Sequence, residues 1–333
     1  MPGSTVALAA AFLLFAGLSL ASSSTLIVRI ERLGSKLGVT EAILGLAAAL
    51  AADAPEITSA ITALVRGQND VGVGVVLGAN VFQIAALLGL GAYVARGIIL
   101  HRRVVVFEGF AAVWVAVLAF GVVARGASAW LALILGLAVF VPYIVISAMD
   151  PRARARLPLP GRFRRDLTDV MTEEEDELTK AIGPLEHHRS DGPIALLALV
   201  TVVAASAALE GVATELADRW SVPDVILGGI VLAVVTSLPN VVAAVHLARR
   251  GRGAATLSEA MNSGRINTLA GLLIPAALLG GVGATEGMTS LAAWYVLMTM
   301  AVLAVAALRR GLSRSMGLVI MATYAVVIIT LVT

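Results

Sequence analysis

The chain has 333 residues, 59% hydrophobic and 14% charged, with a formal net charge of +2 and a mean hydropathy of +0.94. That balance excludes an ordinary soluble domain: apolar runs of roughly 18 or more residues recur, each long enough to cross about 30 Å of hydrocarbon as a helix. The absence of cysteine excludes a disulfide framework and a thiolate metal site, and leaves the redox compartment open.

Ten spans are predicted in chain order, at 5–28, 42–65, 71–95, 104–124, 127–149, 193–217, 224–248, 256–282, 288–308 and 315–333. The first carries no Lys or Arg, and "RIERLGSK" follows it directly. This order favours an uncleaved helix with its N-terminus outside over a signal peptide, although "SLASSS" offers small residues for cleavage. The second span carries "AADAPEITSA" (51–60), which puts Asp53, Pro55 and Glu56 into an otherwise apolar run. A charge at bilayer depth costs about 2.5–3.5 kcal/mol even on lenient scales, so these acids mark a functional site. The third span carries "GVGVVLG" (72–78), whose Gly74 and Gly78 allow close helix packing. Glu108, early in span four, reads as an interfacial ion pair near "HRR", whereas Glu210, deep in span six, reads as a lining of an ion or proton path.

The connections after spans one, three, five, seven and nine hold 20 of the 24 Lys and Arg residues. They are expected to face the cytoplasm, with both termini outside. The charge is therefore a topology signal, and no nucleic-acid partner is expected. The segment 150–192 runs from basic, "PRARARLPLPGRFRR", to acidic, "TEEEDELTK". It reads as a cytoplasmic linker between a first unit, 1–149, and a second, 193–333. A regulatory role is the alternative there; Thr172 with Glu175 suits a helix cap, and His187 with His188 is a weak metal signal.

Span seven carries "VVTSLPNVVAA", and an offset of 184 residues lays Ser237 on Asp53, Pro239 on Pro55 and Asn240 on Glu56. The same offset lays Ser263 on Ala79 and Asn267 on Gln83, so two separate polar clusters repeat together. Five spans per repeat place the second upside down relative to the first, the plan of many secondary transporters with a midplane ion site between interrupted helices. Pro55 and Pro239 are expected to break their helices, freeing carbonyls around Ala51–Ala52 and Val234–Val235 as cation ligands. Asp53 and Ser237 would then cap the restarted helices, with Glu56 and Asn240 three residues on.

This pattern resembles the cation/calcium exchanger superfamily, the sodium/calcium exchanger membrane region. The family's G-T-S-x-P-E and G-S-N-x-x-[ND] segments appear here as "AADAPE" and "GANVFQ", then "VTSLPN" and "NSGRIN". The resemblance implies an all-α polytopic fold of ten transmembrane helices in two inverted five-helix repeats. It lays the family's acidic ligands on Glu56 and the neutral Asn240, and hydroxyl ligands on Thr236, Ser237 and Ser263. Amide or carboxylate ligands fall on Gln83 and Asn267, and a family asparagine is kept as Asn80 and replaced by Gly264.

The expected function is a secondary cation antiporter of the plasma (inner) membrane exchanging Na⁺, H⁺ or Ca²⁺, with Glu56 and Asp53 as the metal ligands. Small inorganic cations and the lipid bilayer are the partners, no cofactor is expected, and the oligomeric state is left open. Arg265 is expected to pair with Glu56 or Asp53 as a counter-charge, giving the three groups a sum of −1 that suits H⁺ or Na⁺ better than a divalent ion. The alternative is a non-transporting scaffold or sensor on the same fold, with Arg265 filling the cation site. Neither H-E-x-x-H nor G-x-x-x-x-G-K-[ST] occurs, which argues against a metalloprotease and an ATP-driven pump.

Overall fold

In the computed structural model the described residues are 4–36, 41–149 and 190–332, with 151–154, 156–158, 160, 161, 165, 168–170 and 172 of the central segment. Glu175, His187 and His188 lie outside them. The elements are α1 (Thr5–Lys36), α2 (Glu41–Val65), α3 (Asn69–Val94), α4 (Arg102–Val123), α5 (Ala129–Ala148), α6 (Asp191–Trp220), α7 (Asp224–Thr236), α8 (Leu238–Arg249), α9 (Gly253–Ile266), α10 (Glu286–Arg309) and α11 (Arg314–Val332). Two three-residue strands, β1 (Gly97–Ile99) and β2 (Gly311–Ser313), pair antiparallel between the connections after α3 and α10.

Eight of these helices are long and apolar enough to cross a membrane, and α7 with α8, bent by 50°, would make a ninth span. The remaining expected span, 256–282, is also helical. There α9 runs through a π turn (Asn267–Leu273) into a short helix (Ile274–Leu278). Ser258, Asn262, Ser263 and Arg265 of α9, with Asn267 at the start of the π turn, make this stretch too polar to pass as an apolar span, and all five are buried.

Contacts join the ends of several helices. Arg29, near the C-terminal end of α1, pairs at 2.6 Å with Asp191, the first residue of α6, and β1 pairs with β2. Asp70 accepts from the Thr285 backbone N–H at 3.0 Å, and Arg125 donates to the Ala284 carbonyl at 3.5 Å.

The centre is assembled by backbone contact. A Cβ on Gly74 would stand 2.8 Å from the Gly229 nitrogen, and one on Gly78 would strike the Gly229 carbonyl. Helices α3 and α7 therefore cross with no side chain between them, as small residues permit.

Two expectations about the helix breaks fail. Helix α2 runs unbroken through Pro55. Proline removes the amide that would bond the carbonyl one turn earlier, but the Ser23 hydroxyl of α1 donates to the Ala51 carbonyl at 2.9 Å. That carbonyl is thereby satisfied from outside the helix, and Asp53 sits mid-helix instead of at a cap. In the second half the chain does bend, between Thr236 and Leu238, with Pro239 in the first turn of α8. Ser237 occupies the N-cap position there without a capping hydrogen bond; its hydroxyl is used elsewhere.

Candidate functional site

Helices α2, α3 and α9 and the bend between α7 and α8 converge on two carboxylates. Asp53 and Glu56 stand three residues apart on α2, one helical turn, and so share a face; both are fully buried. Glu56 Oε1 accepts from the Ser237 hydroxyl at 2.8 Å, the Gln83 amide at 2.9 Å and the Asn240 amide at 3.4 Å. Asp53 Oδ1 accepts from the Asn240 amide at 2.7 Å and the Ser263 hydroxyl at 2.5 Å. Ser263 Oγ also stands 2.8 Å from Gln83 Oε1. Six expected site residues, Asp53, Glu56, Gln83, Ser237, Asn240 and Ser263, thus form one network.

Three others stand apart from it. Asn80 donates to Thr268 Oγ1 at 2.9 Å and to the Gly264 carbonyl at 3.3 Å. The Thr236 hydroxyl bonds back to the Leu232 carbonyl of its own helix at 2.8 Å. Asn267 is buried, and neither amide atom has a hydrogen-bond partner among the described residues.

Arg265 does not pair with Asp53 or Glu56. Its guanidinium binds Glu108 Oε2 at 2.5 Å and Asn262 Oδ1, and lies 4.3 Å from the centre of the Tyr143 ring. Arg265 and Glu108 are both fully buried, so the ion pair of Glu108 is with Arg265 on α9 and not with the "HRR" cluster. The reason is local. On α9 Arg265 points towards α4 and α5, whereas Ser263, two residues earlier, points towards α2. Glu210, expected on an ion path, is held by Arg66, which is half-exposed.

The electrostatic result differs from the expected sum of −1. Among the described residues no cation pairs with Asp53 or Glu56, and as ionised groups they carry −2 inside a shell of neutral amides and hydroxyls. Asp53 Oδ2, Glu56 Oε2 and Asn240 Oδ1 receive no hydrogen bond. Burying uncompensated carboxylates is costly, so the arrangement calls for positive charge from outside the chain. Among the described residues no group of three or more His, Cys, Asp and Glu gathers; the oxygens that meet here belong to two acids, amides and hydroxyls.

Sequence reasoning missed the serines that support α2. Besides Ser23, the Ser19 hydroxyl of α1 lies 2.8 Å from that of Ser206 on α6, and Ser59 donates to the Ser206 carbonyl at 3.4 Å. Their signal was visible as buried-depth hydroxyls within apolar spans.

Comparison with known proteins adds the following. Residues 7–149 and 193–333 match the model of the family described as sodium/calcium exchanger protein. CaxA of Alkalimonas amylolytica, named as a candidate antiporter, is 32% identical over 83 residues, a match spanning about a quarter of either protein, 25% of this chain and 26% of CaxA. The inner membrane protein YrbG of Escherichia coli is 26% identical over 285 residues, 82% of this chain and 81% of YrbG. Among solved structures, the H⁺/Ca²⁺ exchanger CAX superposes with a TM-score of 0.69 at 16% identity, covering 96% of this chain and 81% of CAX. The sodium-calcium exchanger NCX_Mj superposes with a TM-score of 0.62 at 18% identity, covering 97% and 98%. At these identities the two structures establish the fold.

Proposed function

The chain belongs to the sodium/calcium exchanger protein family, and from that premise we propose that it is a secondary-active antiporter whose cations occupy the Asp53–Glu56 site in turn. The observation that carries this is the pair of buried, unpaired carboxylates ringed by neutral oxygens. A site of charge −2 resists exposure to the bilayer interior. Loaded with H⁺, Na⁺ or Ca²⁺ it approaches neutrality and can change sides. Competition for one site then couples the two fluxes without ATP.

The proposal includes two inverted five-helix repeats, 1–149 and 193–333, joined by a cytoplasmic linker at 150–192, with both termini outside. Two hydrogen bonds support the inversion. Asn240 bonds Glu56, and Asn80 bonds the Gly264 carbonyl, each pair separated by 184 residues. Residues related by a twofold axis touch each other only near that axis, which is why both contacts support the inverted reading. The π turns at Ile84–Leu90 and Asn267–Leu273 repeat in nearly the same register.

Reconstitution into liposomes tests the reading. Radioactive sodium or calcium uptake against an imposed pH or sodium gradient is expected, and Glu56→Gln abolishes it; flux unchanged in Glu56→Gln overturns the site. The scaffold or sensor reading needed Arg265 as the resident cation of Asp53 and Glu56, and Arg265 is engaged by Glu108 instead.

A further inference from the structure

Helices α4 and α5 leave a groove of about 740 Å³ between them on the lateral surface of the bundle. Its walls are apolar. Val106 and Phe110 of α4 line it and are 57% and 65% exposed, and Val139 and Tyr143 of α5 complete the lining. At one end stand Arg102 and Arg103, in the first turn of α4. From Arg102 to Phe110 the helix rises about 12 Å, and one leaflet of hydrocarbon is about 15 Å deep. The groove thus has a cationic mouth where α4 begins its span and an apolar length close to the depth of a leaflet.

Basic residues gather at that mouth. Helices α4 and α5 run antiparallel, so α5 ends beside the start of α4 and leads into "PRARAR" (151–156). Arg102 is exposed and has no ion-pair partner among the described residues. Arg103 pairs with Asp169 of the central segment at 2.9 Å, with the two side chains 61% and 63% exposed. A pair so exposed contributes little to stability, so a stronger acceptor can displace Asp169. Val170, beside it, also lines the groove and is buried.

The occupant this chemistry fits is a lipid. A second transmembrane helix would lie along about 30 Å of hydrocarbon, more than twice the length of the groove. Guanidinium groups bind phosphate by charge-assisted, often bidentate hydrogen bonds. A headgroup of net negative charge is drawn to a basic juxtamembrane cluster, whereas a zwitterionic headgroup brings its own cation to the same place.

We propose that α4 and α5 form a binding site for one anionic phospholipid, with its phosphate at Arg102 and Arg103 and an acyl chain along Val106, Phe110 and Val139. The chain lies against Tyr143, whose ring centre is 4.3 Å from the Arg265 guanidinium carbon. One side chain therefore separates the lipid from α9, the helix that brings Ser263 to Asp53. The site is distinct from the Asp53–Glu56 network and does not depend on the antiporter reading.

Native mass spectrometry of the purified full chain, titrated in detergent with phosphatidylglycerol or phosphatidylcholine of identical acyl chains, is the test. One phosphatidylglycerol per chain is expected to be retained in preference to phosphatidylcholine. Arg102→Gln with Arg103→Gln is expected to lower phosphatidylglycerol affinity by roughly tenfold or more and to remove the preference. Val139→Trp fills the groove, leaves both arginines in place and is expected to weaken both lipids. Thermal unfolding without lipid identifies variants that remain folded; Val106→Trp, at an exposed position, fills the groove from the other wall should Val139→Trp not fold. Absence of the preference, or its survival in the arginine variant, overturns the site. Full phosphatidylglycerol binding by a groove-filled variant also overturns it, because the lipid is then held on the basic surface alone. A dimer that phosphatidylglycerol leaves intact and Val139→Trp dissociates would make a second copy of the chain the occupant, and overturns the lipid.

Discussion

The Ser237 hydroxyl donates to Glu56 Oε1 across 2.8 Å although 181 residues separate the two in the chain. The hydroxyl that would ordinarily cap α8 is thus diverted to a buried carboxylate. A hydrogen bond to a charged group contributes about 1.5–3 kcal/mol. Ser237→Ala is therefore expected to lower the stability of cation-free protein by about that amount. Saturating cation restores most of it, because the cation takes over the oxygen the hydroxyl served. Thermal unfolding in detergent, with and without Na⁺ or Ca²⁺, measures both.

Removing the charge should do the opposite. Asp53→Asn and Glu56→Gln each delete a buried negative charge that no side-chain cation offsets. The cation-free protein is expected to be at least as stable as the wild type and to lose its stabilisation by cation. In the wild type that stabilisation reaches about 2.7 kcal/mol at a hundred times the dissociation constant. A wild-type shift on adding cation that survives in both variants would place the binding site elsewhere.

The Arg265–Glu108 pair lends itself to a double-mutant cycle. Breaking a buried pair from one side leaves an uncompensated charge and costs about 3–5 kcal/mol, whereas replacing both partners by apolar residues is often neutral. Glu108→Gln and Arg265→Met are expected to destabilise separately, and Glu108→Leu with Arg265→Met to recover most of the loss. Since neither residue bonds Asp53 or Glu56, the recovered double variant should transport the same ions as the wild type.

A second cycle concerns Ser23 and Pro55. Ser23→Ala leaves the Ala51 carbonyl buried without a donor, at a cost of about 1–3 kcal/mol. Pro55→Ala restores the backbone amide that bonds the same carbonyl. Ser23→Ala is then expected to be destabilising in the wild type and close to neutral in the Pro55→Ala background. Equal effects in both backgrounds would show that the hydroxyl does not serve this carbonyl.

Gly78→Ala tests the helix crossing. The added methyl would meet the Gly229 carbonyl, which belongs to backbone and cannot turn aside. Overpacking of this kind costs about 1–3 kcal/mol or more. The change should lower thermal stability more than Gly17→Ala, at a position where a Cβ meets nothing within 4 Å.

Much of this was legible in the sequence for a physical reason. Hydrocarbon thickness fixes span length, so the helical stretches could be read from apolar runs. The 184-residue offset paired Glu56 with Asn240, and the two side chains meet at 3.4 Å. Partners chosen by side-chain direction were not legible. Arg265 and Glu108 are 157 residues apart; depth showed that each needed a partner but not which one. The continuity of α2 at Pro55 was hidden for a similar reason. Proline chemistry predicts a lost hydrogen bond, and only the packing of α1 against α2 reveals that Ser23 replaces it. Thr236 matched the motif in sequence, yet its hydroxyl turned back to its own helix, a choice that backbone geometry makes and spacing does not encode.

The bend at Ser237 has no counterpart at Asp53, and this disparity bears on kinetics. A carrier with perfectly matched halves would dwell equally in its two facing orientations, and its half-saturating concentrations would agree on both faces. In the proposed carrier, a joint in one half and a stiff rod in the other would make the two orientations differ in energy. Apparent affinity measured from one side of the membrane should then differ from that measured from the other.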